Sequence, residues 1–562
     1  MIARKPRVIY NDDSTTLRRI DPPHREEQIA LAVDYLKGTH VDCLAWCMME
    51  SVARGRSGRA YLYPGAPWKR DTVDETTGGE VSTGYSRQKE SARKMEELTA
   101  SRDIMFTLGE KGIDYLPILI RECRKADLLF AASFRMNDTH VRSDPRGPIA
   151  SGFWRSHQHC RLWGIAEGHT YYNSALDYSY PEVRELYLSM IKETLEKYDV
   201  DGIELDFTRC PYYFQPDLAW EKRKILTDFA SEIRGIVDSS NKSKGRQFFL
   251  IVRVPFAEKT LVKGGMDVGT WLEKKLPDVL VMSNLFNNPN MNIKSWLEKS
   301  HKNGVLFYPS IEMFPDRKNP NHDQMITNPV APWHAYDPAE RPDVIVRKIR
   351  AMAQNFLSQK PDGIYTFNYP GILHERAKDR FSDIKSFKLM TEPLSQIASP
   401  EALRGTSKQY TYWNECPISI ETGRPAEYHQ TIRFLLLDPD VLDGSTTVKL
   451  SFMEVAERNP HAERVYRQNP IVPAGYVRYC INGKPVSEEY ISRTRKSRGR
   501  IISGWLLKTH NRVEISVPCG MLVCGENRIA FEIPGFPGEK DPYVYIYEFT
   551  ADVSTTSKKG KE

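Results

Sequence analysis

From its start to about residue 395 the chain alternates short apolar runs with amphipathic stretches. The runs are Arg7–Tyr10, Val41–Glu50, Asp127–Arg135, Gly202–Phe207, Gln247–Pro255, Val279–Phe286, Val305–Phe314 and Gly363–Tyr369, eight in all. Short runs separated by helical periodicity read as buried parallel strands. The intervening stretches include 24–38, 112–126, 181–198, 219–237, 268–276, 293–304 and 342–360. In the third of these, Pro181 stands at a first-turn position beside Glu182, and Val183, Leu186, Met190, Ile191 and Leu195 recur at helical spacing. Eight strand–helix units predict a (β/α)8 barrel with long loops. A doubly wound open sheet is the alternative, but no GxGxxG follows any of the runs.

Beyond about residue 400 the helical periodicity stops. Period-two alternation replaces it in 430–437, 447–455, 476–483, 512–518, 527–534 and 543–553, with turn signals at Asn482-Gly483 and Pro518–Gly520. The reading is therefore a catalytic barrel over 1–395, a linker over 396–410, an all-β sandwich over 411–553 and a solvated tail over 554–562. No internal repeat is evident beyond the strand–helix alternation.

Composition narrows the classes. A length of 562 residues suits two to four domains, and the pattern selects two. A mean hydropathy of −0.52 and the lack of any apolar run approaching ~18 residues give no sign of a membrane partner. The net charge of +6, from 79 basic and 73 acidic residues, is too mild for a nucleic-acid footprint, though it leaves room for an acidic substrate. Nine scattered cysteines without CxxC or Cys/His metal spacing read as buried free thiols, with one disulfide left open. The first residues carry no hydrophobic signal core. That fits an intracellular protein, or a secreted or periplasmic one whose export signal was removed.

Reactive groups of such barrels lie at the C-terminal ends of the strands and in the loops that follow. The stretches after the second and third runs, about 51–90 and 136–180, exceed a simple connection and carry aromatics and arginines. In the fourth run, alternation sets Glu204 and Asp206 on one face against Ile203, Leu205 and Phe207 on the other. The apolar face meets the helices, so both carboxylates are expected to point inward, with Asp206 at the rim and Glu204 one layer below. A buried carboxylate needs a partner, and Arg253 and Arg135 on the flanking runs are the nearest candidates. In the seventh run Tyr308, Ser310 and Glu312 share a face, with Glu312 at the rim. Two carboxylates facing one cleft are what glycosidic bond cleavage requires: one protonates the leaving oxygen, the other attacks the anomeric carbon or activates water. Asp206 is expected to be the nucleophile or base, Glu312 the leading acid, and Glu204 mainly a supporting acid.

Blander roles compete with these. Glu312 and Asp206 could be salt-bridge members, and Glu50 and Glu258 solvated loop acids; Asp138 is a better placed rival. Arg135, Arg209, Arg253, Asn284, Tyr308, Tyr365 and Asn368 would position substrate, or simply fill and cap the barrel. Trp154 and Trp163 suit sugar stacking and core packing equally. Arg135, Arg142, Arg146, Arg155, Arg161 and Arg209 read as solvated surface, or as a fork for carboxylate or sulfate groups on an anionic glycan. His157 and His159, with His140 and His169 nearby, lack a third ligand at recognisable spacing, so neither metal nor other cofactor is expected.

The DGxxxD pattern, here DGIELD at 201–206, looks like that of glycoside hydrolases of the α-amylase type, whose last Asp is the nucleophile; the resemblance places that role on Asp206. The longer phrase ALDYSYPEVRELYLSMIKETLEKYDVDGIELDF more closely resembles bacterial glycosyl hydrolase-like barrels, and FRMND fits the same group. The likeness is specific over about 175–210 and loose over the rest of the barrel. Thr208 stands where a chitinase-type DGxDxDxE signature would place an acid, and the Asn-Glu pair of the cellulase-type clan is missing. The C-terminal segment resembles the β-sandwich modules often appended to such enzymes. The resemblance implies a glycoside hydrolase acting on a poly- or oligosaccharide. A barrel enzyme of another class, a lyase or metal-dependent isomerase, and a non-catalytic carbohydrate-binding protein are the alternatives.

Overall fold

The structure is a computed structural model. It describes residues 4–12, 15–18, 23–48, 111–137, 157–162, 175–284, 288–312, 342–369, 391–412, 429–457, 475–496, 510–533 and 543–555, with a few short stretches between them.

Eight parallel strands close into a barrel: β1 (Val8–Asp12), β2 (Val41–Cys47), β3 (Leu129–Arg135), β4 (Gly202–Asp206), β5 (Phe249–Pro255), β6 (Val279–Ser283), β7 (Leu306–Ile311) and β8 (Ile364–Thr366). Neighbouring strands pair in sequence order, and β8 returns to β1. Each strand is buried on both faces, which is why its sequence reads as a nearly unbroken apolar run. The outward positions pack under the helices. In helix Tyr115–Lys125, for example, Leu116, Leu119, Ile120 and Cys123 face the barrel, and the Asp114 carboxylate caps the first turn by accepting from Leu116 N at 2.9 Å. Helix Pro181–Lys197 buries Val183, Met190, Ile191 and Leu195, while Leu186 is only half-buried. Between β1 and β2 the expected helix over 24–38 is reduced to a 3-10 turn, Glu26–Ala30, and one helical turn, Leu31–Asp34.

The inward positions change character along the barrel axis. Ile9, Cys43, Ala45, Ala131, Phe249, Ile251, Val279, Val281, Tyr308 and Tyr365 fill the lower part. Glycine is needed twice at this level: a Cβ on Gly202 would stand 2.4 Å from the Phe249 ring, and one on Gly363 2.4 Å from the Tyr308 ring. Toward the C-terminal ends the inward residues become Asn11, Ser133, Arg135, Glu204, Asp206, Arg253, Ser283, Ser310 and Glu312, all buried.

At the opposite, N-terminal end an aspartate recurs at the start of every even-numbered strand. The carboxylates of Asp42, Asp201, Asp278 and Asp362 accept from the backbone N–H of Arg7, Phe130, Leu250 and Phe307, on or beside the preceding odd-numbered strand, at 2.7, 2.8, 2.8 and 2.8 Å. This repeat is visible as VDC, VDG, PDV and PDG, and the strand–helix alternation alone did not reveal it. Its place at the barrel base reads as stability rather than chemistry.

The C-terminal part is a β-sandwich. One sheet runs β10 (Ile418–Ile420), β20 (Tyr543–Thr555), β12 (Thr446–Glu457), β18 (His510–Ser516), β15 (Ile491–Lys496), with β9 (Lys408–Thr411) also on β20. The other runs β11 (His429–Leu436), β19 (Gly525–Glu532), β13 (Arg478–Ile481), β14 (Lys484–Pro485), and β16 (Arg500–Ile502) pairs β17 (Trp505–Leu507) apart. Phe434, Leu450, Phe452, Tyr479, Val513, Phe531, Ile546 and Phe549 fill the space between the sheets. Two boundaries differ from the sequence reading: β9 lies within the stretch read as a linker, and β20 extends into the stretch read as tail. β9 is too short to show its alternation without its partner strand.

The free edge of β11 is closed by amide side chains of the barrel. Asn290 accepts from Leu435 N at 2.7 Å and donates to Arg433 O at 3.1 Å. Asn355, on helix Pro342–Leu357, donates to Leu435 O and Pro289 O at 2.8 and 3.0 Å and accepts from Leu437 N at 2.8 Å. Such pairing satisfies an edge that would otherwise be open. Asn355→Ala removes three hydrogen bonds from a buried position and is expected to cost about 1–3 kcal/mol in the urea unfolding of the full chain. A loss within error of zero would show that the amide does not hold the edge.

None of the nine cysteines is in a disulfide, so the one left open by the sequence does not form. Cys43, Cys47, Cys123, Cys160 and Cys210 are buried as expected; Cys519 and Cys524 are exposed, contrary to expectation, because they lie in the turn between β18 and β19 rather than on a strand. No helix among the described residues is long and apolar enough to cross a membrane.

Candidate active site

Five charged side chains converge inside the barrel near the C-terminal ends of its strands. Glu204 and Asp206 come from β4, Arg135 ends β3, Arg253 lies on β5 and Glu312 directly follows β7. The register explains the meeting: Arg135 and Arg253 stand opposite Asp206 on its two neighbouring strands. All five are buried.

Arg253 is the hub. Its Nη1 donates to Asp206 Oδ1 at 2.8 Å, and its Nη2 donates to Glu312 Oε2 at 3.0 Å and to Ser283 Oγ at 2.7 Å. The guanidinium also lies 3.7 Å from the Phe367 ring centroid. Burial works against its charge, but Asp206 and Glu312 outweigh burial and hold it protonated. One planar cation therefore bridges two carboxylates from strands three apart, a geometry that an ammonium could not match in the same way.

Asp206 is held asymmetrically. Oδ1 accepts from Arg253, from Thr208 N at 2.9 Å and from Arg209 N at 3.3 Å. Oδ2 is buried and has no hydrogen-bond partner among the described residues. Orphaned oxygens of this kind are rare in folded proteins and call for an explanation. Glu312 takes hydrogen bonds from Arg253 and from the Ser283 hydroxyl. Burial raises its pKa, and Arg253 only partly offsets this.

Glu204 lies one layer deeper. The Tyr365 hydroxyl donates to its Oε1, and the Asn11 amide reaches Oε2 at 3.4 Å. Burial first, then the charge of Asp206, pushes Glu204 from the ordinary 4.5 up to about 7, with Tyr365 and Arg253 pulling the other way. A carboxyl whose folded pKa exceeds its unfolded one binds more protons in the folded state between those values. Its stabilising contribution is therefore complete below about 4.5 and lost as pH rises through about 7. Glu204→Gln is expected to flatten the fall in thermal stability across that window by about 3 kcal/mol. Identical slopes for parent and variant would refute it.

Several residues expected to contact substrate have partners within the barrel. The Tyr308 hydroxyl donates to Pro6 O at 2.6 Å at the base of the barrel, far down the strand from Glu312. The inward face was read correctly for Tyr308, but its level along the axis was not. The Tyr365 hydroxyl is committed to Glu204 and the terminal nitrogens of Arg253 to Asp206, Glu312 and Ser283, while Arg253 Nε has no partner among the described residues. Asn284 follows β6, half-buried, and Arg209 keeps its backbone on Asp206. Asn368 follows β8 with φ 48°, a left-handed conformation that asparagine tolerates better than most residues, and its backbone N–H donates to Asn11 Oδ1 at 3.4 Å. Asp138 and Trp154 lie outside the described residues, as do Trp163, Glu50, Arg142, Arg146, Arg155, His140 and His169. Glu258 is an exposed first residue of helix Glu258–Gly264.

His157 stacks on Phe153 at 4.0 Å, and its Nδ1 lies 2.9 Å from Phe153 O; His159 meets the edge of Tyr180. Among the described residues no group of three or more His, Cys, Asp or Glu could hold a metal ion. Three members of the site escaped the sequence reading: Asn11, Ser283 and Phe367. Each is an inward position at a strand end, and the same alternation that revealed Glu204 and Asp206 would have marked them.

No protein-family model matches the chain, and no curated protein does. Among solved structures, a family GH18 chitinase from Chromobacterium violaceum is similar over 97% of this chain and 91% of its own, at 12% identity and a TM-score of 0.37. An α-amylase from Geobacillus thermoleovorans, complexed with acarbose, is similar over 98% and 99%, at 11% identity and a TM-score of 0.35. A GH36 α-galactosidase from Geobacillus stearothermophilus, complexed with stachyose, is similar over 98% of this chain and 56% of its own, at 10% identity and a TM-score of 0.33.

Proposed function

We propose that the protein is a glycoside hydrolase that cleaves a poly- or oligosaccharide with two carboxylates, Asp206 and Glu312. The observation that carries this reading is the asymmetry of Asp206. Three donors fix Oδ1, while Oδ2 is buried and unpartnered. A carboxylate held in this way is oriented for attack at an anomeric carbon, or for drawing a proton from water, with no hydrogen bond to break at the reacting oxygen.

Glu312 is the acid of the pair. Its burial favours the protonated form, which the leaving oxygen needs. Arg253 opposes that protonation but serves the cycle afterwards, since it stabilises the carboxylate left once the proton is given up. One guanidinium bridges the two carboxyl groups and so holds them toward the same space. An anionic glycan would draw on Arg135 and Arg209 for recognition, as the terminal nitrogens of Arg253 are taken by Asp206, Glu312 and Ser283.

The test is reducing-sugar release from a panel of neutral, uronic and sulfated polysaccharides, with Asp206→Asn as the control. Release by the parent and its loss in the folded variant are expected. Turnover that survives Asp206→Asn unchanged would remove Asp206 from the mechanism.

A further inference from the structure

The two-carboxylate scheme leaves one buried acid without a task. Glu204 lies on the same face of β4 as Asp206, two residues away, a separation of ~6.5 Å along a strand. Among the described residues, the titratable and charged groups that act on it are Cys43 on β2, Asp206 on β4, Arg253 on β5 and Tyr365 on β8, with Arg135 on β3 one inward position further along. Of the two cations, Arg253 gives its terminal nitrogens to Asp206, Glu312 and Ser283, and Arg135 stands opposite Asp206 in the register. The hydrogen-bond donors that Glu204 receives, the Tyr365 hydroxyl and the Asn11 amide, are both neutral.

We propose that Glu204 is a positioning residue that remains a neutral carboxylic acid while Asp206 is ionised, so that the two acids of β4 carry one negative charge between them. Ionising both acids of β4 would set two anions on one strand face, in surroundings that solvate charge poorly. Asp206 is ion-paired with Arg253, whereas Glu204 has no ion pair among the described residues, so Glu204 keeps the proton. Its elevated pKa has the same origin. When Glu204 ionises, two anions repel along one strand face and compete for Arg253. The orientation of Asp206, which depends on Arg253, is then lost. The proton on Glu204 thus sets the alkaline limit of the reaction. This inference rests on the assignment of Asp206 as nucleophile or base.

Infrared spectra of the intact protein, recorded against pH, test the protonation without any substrate. A protonated-carboxyl component is expected to disappear with a midpoint near 7, and that component, unlike the one from Glu312, is missing in Glu204→Gln. The coupling is reciprocal, so Asp206→Asn must lower the midpoint. Tyr365→Phe, which deletes a donor that favours the ionised form, must raise it, and serves in place of Glu204→Gln if that variant does not fold. On substrate, the ratio of kcat/KM near pH 8 to that near pH 6 is expected to rise about tenfold in Glu204→Gln. A purely structural glutamate would leave the ratio unchanged. Absence of that component throughout overturns the proposal whatever the activity. A component that titrates while the ratio stays fixed overturns it too, and leaves the role of Asp206 standing. Failure of that role has its own signature, an Asp206→Asn variant as active as the parent.

Discussion

Arg253→Met is expected to be about 3–5 kcal/mol less stable than the parent at neutral pH. Methionine fills much of the same volume, so cavity formation is a minor part of the effect. The larger part is electrostatic: Asp206 and Glu312 remain buried at the barrel centre and lose the cation they share. The contact with Phe367 at 3.7 Å also weakens. The pH dependence identifies the cause. Without Arg253, Glu312 is relieved of its main acidifying neighbour and holds its proton more tightly. The variant's deficit therefore shrinks in acid, where the carboxylates are neutral, and widens as pH rises. Adding Glu312→Gln to Arg253→Met should recover part of the loss, since the pair belongs to one network. Urea unfolding of the single and double variants at two pH values measures all of this. A pH-independent deficit below 1 kcal/mol would mean that the guanidinium does not neutralise the pair.

Asp206→Gly is expected to lower kcat by about 10⁴-fold, the scale on which removal of a group that acts as part of a catalytic unit is felt. Replacing the side chain with hydrogen also opens a space beside Arg253 that a small anion can occupy. If Asp206 is the nucleophile, azide should enter that space, attack the anomeric carbon and restore turnover as a glycosyl azide. If Asp206 is a base that activates water, azide takes the place of that water; in both cases azide attacks opposite the leaving group and gives the inverted glycosyl azide, so the two roles are told apart by whether hydrolysis by the parent retains or inverts the anomeric configuration. In the Glu312→Gln variant, activity should recover only on substrates whose leaving group needs no protonation, such as aryl glycosides with acidic phenols. Full activity of Asp206→Gly without any anion would rule out both roles.

Much of the barrel was legible from local pattern. Eight apolar runs separated by helical stretches require burial on both strand faces, and a closed parallel barrel meets that requirement. The inward direction of Glu204 and Asp206 was legible as well, because strand alternation has period two and needs no knowledge of neighbours. The limits appear at particular residues. β9 has four residues and becomes a strand only through its pairing with β20. Tyr308 and Glu312 share a face, yet one anchors the barrel base and the other reaches the charged cluster; the reach along the axis depends on where each strand enters the barrel. Arg253 was named as one of two partners for the acids of β4, but nothing local indicated that it would also take Glu312, 59 positions away in the chain.

The sequence by itself determined which runs form the buried strands, which face of a strand its alternating residues share, and that two architectures follow one another along the chain. Those properties arise from hydrophobic periodicity and are written within a few residues. Only the tertiary structure decided that Arg253 bridges Asp206 and Glu312, that Glu204 is left with neutral donors, and that one oxygen of Asp206 has no partner. Each of these depends on the stagger and closure of eight strands, which set the contacts between residues that the chain itself keeps far apart.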